Sequence, residues 1–134
     1  MLTHELTAAR RNGKPLAVAM LDLDFFKHYN DENGHLAGDH LLRRAAHAWS
    51  HDLRATDVLA RWGGEEFALL LPGCDGPHAA MLIDRLRGTL PDGVTFSAGV
   101  SCSDGSTEPR TLVDAADQAL YLAKAGGRDR VVVG

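Results

Sequence analysis

Arg61-Trp62-Gly63-Gly64-Glu65-Glu66-Phe67-Ala68-Leu69-Leu70-Leu71 reads as two apolar strands interrupted by two glycines and two acids. The first strand leads in from Val58, and a run of leucines leads out. This pattern predicts a β-hairpin, because glycine turns the chain through positive φ and lets a ligand approach the backbone. The Gly-Gly-Glu-Glu tip suits a polyphosphate. Its carboxylates can carry hard cations, which neutralise phosphate oxygens.

Outward from the hairpin, residues 16–23 form a dense apolar run and predict a buried central strand. Residues 24–30 suit a short helix, followed by a loop to Gly38. Leu41, Leu42, Ala45, Trp49 and Leu53 repeat at helical spacing and place an amphipathic helix over 39–53. The hairpin strands fall at 58–62 and 66–71. Ala79, Ile83, Leu86 and Leu90 mark another helix, residues 94–100 a strand, and Leu112 to Ala123 a last helix stopped by Gly126-Gly127. Residues 130–133 make a short final strand. The order βααββαβαβ points to an α/β (α+β) fold, a mixed five-stranded sheet flanked by helices. Residues 3–12 look like a helix within which the chain begins, as in an excised domain.

With 134 residues and a net charge of -4, the chain is expected to be one domain without a broadly basic nucleic-acid surface. Cys74 and Cys102 have neither metal nor redox spacing and read as reduced thiols of a cytosolic domain. The sequence shows no apolar run long enough to span a bilayer and no signal-peptide pattern. Any membrane attachment would come from another part of a longer protein.

Asp22 closes the first apolar strand, and Asp24 follows two positions later. A carboxylate at the end of a buried strand needs a partner to offset desolvation, and a metal supplies one. Asp24 reads better as a helix N-cap. Phe25, Phe26 and Lys27 then open a helix whose free N–H groups and positive end can receive an anion. His47 and His51 stand four apart, but no third ligand is evident, so they read as a surface pair. Trp49 and Trp62 read as core or edge residues.

Asp22-Leu23-Asp24-Phe25-Phe26-Lys27, Asn30-Asp31, Gly34-His35, Gly38-Asp39 and Arg61 to Phe67 together resemble the GGDEF family of diguanylate cyclases, here in a Gly-Gly-Glu-Glu-Phe form. The likeness continues through Thr95 to Val100, Ala116 to Tyr121, and Ala123-Lys124 to Gly127-Arg128. It implies a fold like the palm of nucleotidyl cyclases and polymerases, and condensation of two GTP molecules to cyclic di-GMP. By the same resemblance Asp22, Glu65 and the Leu23 carbonyl hold Mg²⁺, or Mn²⁺, and Glu66 accepts a proton. Asn30 and Asp39 read guanine, with His35 nearby. Gly63 and Gly64 let the nucleotide approach. Lys27, Lys124, Arg128 and the amides around Phe25 and Phe26 hold phosphates.

Arg54-Ala55-Thr56-Asp57 matches the family's product-inhibition site, with Arg85 as a secondary contact. The resemblance also implies a catalytic homodimer and a fused N-terminal sensory or regulatory domain. Two rivals remain: a catalytically silent module that senses GTP or cyclic di-GMP, and a cyclase that also accepts ATP. Three positions depart from the family pattern. Glu65 stands where Asp is more usual, Tyr29 replaces an aliphatic residue, and Asp129 replaces a frequent Asn. The family's Asp-x-Leu-Thr-Gly-Leu-x-Asn-Arg segment ahead of the first strand is not part of this sequence.

Overall fold

The computed structural model describes residues 2–91 and 93–134. The elements are α1 (Leu2–Asn12), β1 (Leu16–Leu23), α2 (Phe26–Asn33), α3 (His35–Ser50), β2 (Val58–Gly63), β3 (Glu66–Pro72), α4 (Gly76–Leu86), β4 (Phe96–Ser103), α5 (Pro109–Ala125) and β5 (Val131–Val133). A 3-10 turn, Arg87–Thr89, extends α4. The five strands lie in the order β2-β3-β1-β4-β5. All neighbours are antiparallel except β4 and β5.

β1 sits in the middle of the sheet and is buried along its whole length. Its side chains alternate between faces, so one strand feeds two cores. Ala17, Ala19, Leu21 and Leu23 join α3 and α4 in the larger cluster. There Trp49 meets the rings of Phe67 and Phe96 edge-on, at 5.1 and 5.2 Å between centroids. Leu16, Val18 and Met20 join α1 and α5 in the smaller cluster. Trp49 is thus a core residue, whereas Trp62 is exposed at the sheet edge. Among the described residues, no helix is long and apolar enough to cross a membrane.

Two sequence expectations need correction. The loop placed over 31–38 is helical except at one residue. Gly34, at φ 90, closes α2 by donating to the Asn30 carbonyl (2.7 Å) and directly precedes α3. His35 and Asp39 therefore lie in the first turns of a helix. Asp24 is not a helix cap. Phe25 occupies the cap position in the left-handed region, with no side-chain capping bond. Asp24 instead turns into the fold, as described below.

Candidate functional site

The sheet brings the acidic residues of the sequence motifs together at one end. Asp22 pairs with Glu66 on β3 and with Ser97 on β4. The Leu23 amide donates to the Glu65 carbonyl (3.3 Å), which ties the hairpin tip to the end of β1. The β2–β3 register shifts between Arg61 and Gly63. Arg61 then reaches over this irregularity, and its Nε and Nη2 donate to the Gly64 carbonyl at 3.0 and 2.8 Å. A planar guanidinium holding one carbonyl with two donors restrains the tip geometrically. No atom lies within 4 Å of where a Cβ would stand on Gly63 or Gly64, so the tip is open to an incoming group.

Asp22 is only 5% exposed. Its partner is Lys124, from the last turn of α5, whose ammonium donates to Asp22 Oδ2. Burial pushes the Asp22 carboxyl above its ordinary value, the Lys124 hydrogen bond and charge pull it down, and Glu65 and Asp24 push it up again. Glu66 is raised as well, first by burial and then by the charge of Asp22. Lys124 opposes that rise, and Asp117 on α5 adds to it. Carboxylates held at close quarters in this way carry an electrostatic cost that a cation relieves.

Asp24 is buried and fully engaged. Its Oδ2 accepts from the Thr95 hydroxyl (2.7 Å) and the Asp129 amide (3.0 Å), and its Oδ1 from the Ser97 hydroxyl (2.7 Å). With its oxygens so occupied, it acts as a brace between β1, β4 and the loop after α5. Sequence reasoning missed this role and also missed Arg61 and Asp117. The polar pair Thr95 and Ser97, two apart around the start of an apolar strand, was the available signal.

Beside this brace, Phe25 adopts φ 56 and is exposed. The Arg128 guanidinium lies over its ring, 4.9 Å from the centroid. Lys27 and His35 stand exposed at the starts of α2 and α3. Asn30 and Asp39 come from facing helices. The Asn30 Oδ1 is buried without a hydrogen-bond partner, packed against Gly38. A Cβ on Gly38 would stand 1.7 Å from that oxygen and 3.1 Å from the Phe26 ring. Gly38→Ala should therefore expel the Asn30 side chain. If Asn30 reads guanine, as the family resemblance implies, affinity for a guanine nucleotide should fall about tenfold, the usual result of a lost hydrogen bond with an unpaired partner. Equilibrium titration with a GTP analogue measures it, and unchanged affinity would detach Asn30 from the base.

Arg54 and Asp57 pair with each other. Arg54 Nη2 donates to Asp57 Oδ1 (2.8 Å) and to the Pro72 carbonyl (2.7 Å), and the Arg54 amide donates to Asp57 Oδ2 (2.8 Å). Arg85 is exposed on α4, and no described contact joins it to this pair. A cavity of about 560 Å³ opens beside Arg54, between α1 and the ends of β1 and β3. His47 on α3 and His51 just past its end stack edge-on, with their Nε2 atoms 3.3 Å apart at the surface. Among the described residues, no three acidic, histidine or cysteine side chains gather closely enough to cage a metal by themselves.

The family model "Diguanylate cyclase, GGDEF domain" matches residues 1–130. The chain is 40% identical to diguanylate cyclase DgcP of Pseudomonas aeruginosa, over 98% of this chain and 21% of that protein. It thus spans about a fifth of that relative's length. Among solved structures, it is similar to diguanylate cyclase SiaD of Pseudomonas aeruginosa in complex with its activator SiaC. That match has TM-score 0.91 and 39% identity and covers 99% of this chain and 55% of the other. It is also similar to the GGDEF domain of DgcB from Caulobacter crescentus in complex with cyclic di-GMP. There the TM-score is 0.90 and the identity 30%, covering 98% of this chain and 85% of the other.

Proposed function

The chain belongs to the GGDEF family of diguanylate cyclase domains, and on that premise we propose that it joins two GTP molecules into cyclic di-GMP with release of pyrophosphate. The observation that carries this reading is the cluster of Asp22, Glu66 and Lys124 at the end of β1, beside the open Gly63-Gly64 tip.

Asp22, Glu65 and the Leu23 carbonyl form an all-oxygen donor set that fits Mg²⁺, and Mn²⁺ equally. Mg²⁺ is commonly held by one or two carboxylates plus substrate phosphates, so a site that closes only with the triphosphate in place suits it. When bound, the ions supply charge neutralisation at the α-phosphate and activation of the attacking hydroxyl. Everything else falls to the chain. Lys124 exchanges Asp22 for phosphate oxygens, and Arg128, Lys27 and the amides at Phe25 and Phe26 hold the rest of the triphosphate. Asp39 accepts from guanine N1–H and the exocyclic amine, Asn30 offers its Nδ2 to a ring acceptor, and His35 borders the same pocket. Glu66 takes the proton of the 3′-hydroxyl as it attacks the α-phosphate of the other GTP. A raised carboxyl pKa brings its basicity closer to the working pH.

One domain holds one nucleotide, so two copies must face each other across a two-fold axis. The test is incubation of concentrated protein with GTP and Mg²⁺, with the product identified by mass. Cyclic di-GMP is expected, with a specific activity that falls on dilution. Bound nucleotide without product would favour the silent sensor, and a rate independent of concentration would remove the dimer.

Arg54, Asp57 and Arg85 form the proposed inhibitory product site. The Arg54 fork must be shared with a phosphate or guanine of cyclic di-GMP. Arg54→Ala should raise the inhibition constant for cyclic di-GMP about tenfold or more, the scale of a lost charge-assisted bond. Unchanged inhibition would make the Arg54–Asp57 pair structural only.

A further inference from the structure

The loop between α5 and β5 is strained. Gly127 (φ 119) is followed by Arg128 (φ 65) and Asp129 (φ 48), two successive non-glycine residues in the left-handed region. Each costs of order 1–3 kcal/mol and persists only where its surroundings enforce it. Asp129 supplies part of that enforcement. Its amide donates to Asp24 Oδ2 at 3.0 Å. Its carboxylate Oδ1 accepts from Arg87 Nη2 and Nε at 2.9 and 3.2 Å. Arg87 is fixed in turn by Asp84 on α4. On the other side of the turn, the Arg128 amide donates to the Ala123 carbonyl at 3.0 Å, and the Arg128 carbonyl accepts from Arg130 Nε at 2.9 Å. The guanidinium so presented rests on the exposed ring of Phe25.

We propose that Asp129 is a positioning residue for nucleotide binding: gripped by Asp24 inside the fold and by Arg87 at the surface, it aims the Arg128 guanidinium at the phosphates. The inference rests on the GTP reading above. Aspartate suits the position because a short polar side chain tolerates the left-handed conformation and its charge engages the Arg87 fork. The clamp acts ahead of binding. It fixes a long, rotamer-rich side chain that would otherwise lose its freedom only when the ligand arrives.

A double-mutant cycle tests it, read as affinity for a non-hydrolysable GTP analogue. Asp129→Ala and Arg87→Ala should each weaken binding about tenfold, and Arg128→Ala at least as much. Adding Asp129→Ala or Arg87→Ala to Arg128→Ala should cause no further loss, because both act through Arg128. Asp129→Asn, which keeps the amide and an acceptor, should recover most of the affinity. Losses that multiply in the double variants would make the clamp merely structural and overturn the proposal. Wild-type affinity in Arg87→Ala would do the same, and that variant remains informative if Asp129→Ala does not fold. A wild-type chain that binds no analogue removes the GTP reading, and the proposal with it. That failure is told apart by the wild-type titration alone.

Discussion

Glu66→Gln should cut the rate of cyclic di-GMP formation by about 10²–10⁴-fold, the range for loss of a general base, while GTP affinity stays within a few-fold. Gln keeps the size of Glu and its hydrogen-bonding reach, so the hairpin should stay in register. Only the proton acceptor is lost. Pyrophosphate release at saturating GTP and Mg²⁺ measures the rate, and a near-normal value would remove Glu66 from the chemistry. Burial and the Asp22 charge raise the Glu66 pKa in the metal-free protein, and bound Mg²⁺ would oppose that rise.

Stability should move the other way. A carboxyl raised by folding contributes most below its unfolded pKa, and the contribution is lost as pH rises through the folded value. Ionised Glu66 therefore costs stability at neutral pH. The Gln variant should melt at or above the wild-type temperature there, with the gap closing in acid. On the proposed reading, the site gives up some stability to hold its proton acceptor, a common trade in active sites.

Gly99→Ala should lower the melting temperature by roughly 10 °C, through a loss of about 3 kcal/mol. Gly99 lies on β4 where α5 crosses it. A Cβ there would stand 2.1 Å from the Leu120 nitrogen, 2.2 Å from the Ala116 oxygen and 2.7 Å from the Ala119 carbonyl carbon. These are backbone atoms of a regular helix and cannot swing aside as a side chain would. The helix must lift off the sheet, and it carries Lys124 away from Asp22. Activity should fall with stability for that reason. Gly88→Ala is the control, since nothing lies within 4 Å of the place its added methyl would take, and its melting temperature should stay within about a degree or two. Equal melting temperatures for the two variants would show that α5 does not rest on Gly99 as described.

Much of the site was legible because local pattern and burial act on neighbouring residues. The leucine run after Glu66 and the glycines before it announce a hairpin with acids at its tip. The apolar run from Leu16 announces a central strand that ends in a carboxylate. The reading failed where one local signal served two structures. An aspartate after a strand resembles a helix cap, yet Asp24 faces inward because Phe25 takes the left-handed turn and the helix starts one residue later. The stretch after Asn30 looked like a loop because of its polar residues and glycines, yet the approach of α2 and α3 at Gly38 keeps it helical.

By itself the sequence determined the strands, the hairpin tip and most of the helices, and that Asp22 must find a partner, because a buried carboxylate without one is untenable. Only the tertiary structure decided that the partner is Lys124, 102 positions away, and that Asp24, Thr95, Ser97, Asp129 and Arg87 form one continuous brace. Such pairings depend on how sheet register and helix docking fold distant segments onto one another, and no spacing along the chain encodes that distance.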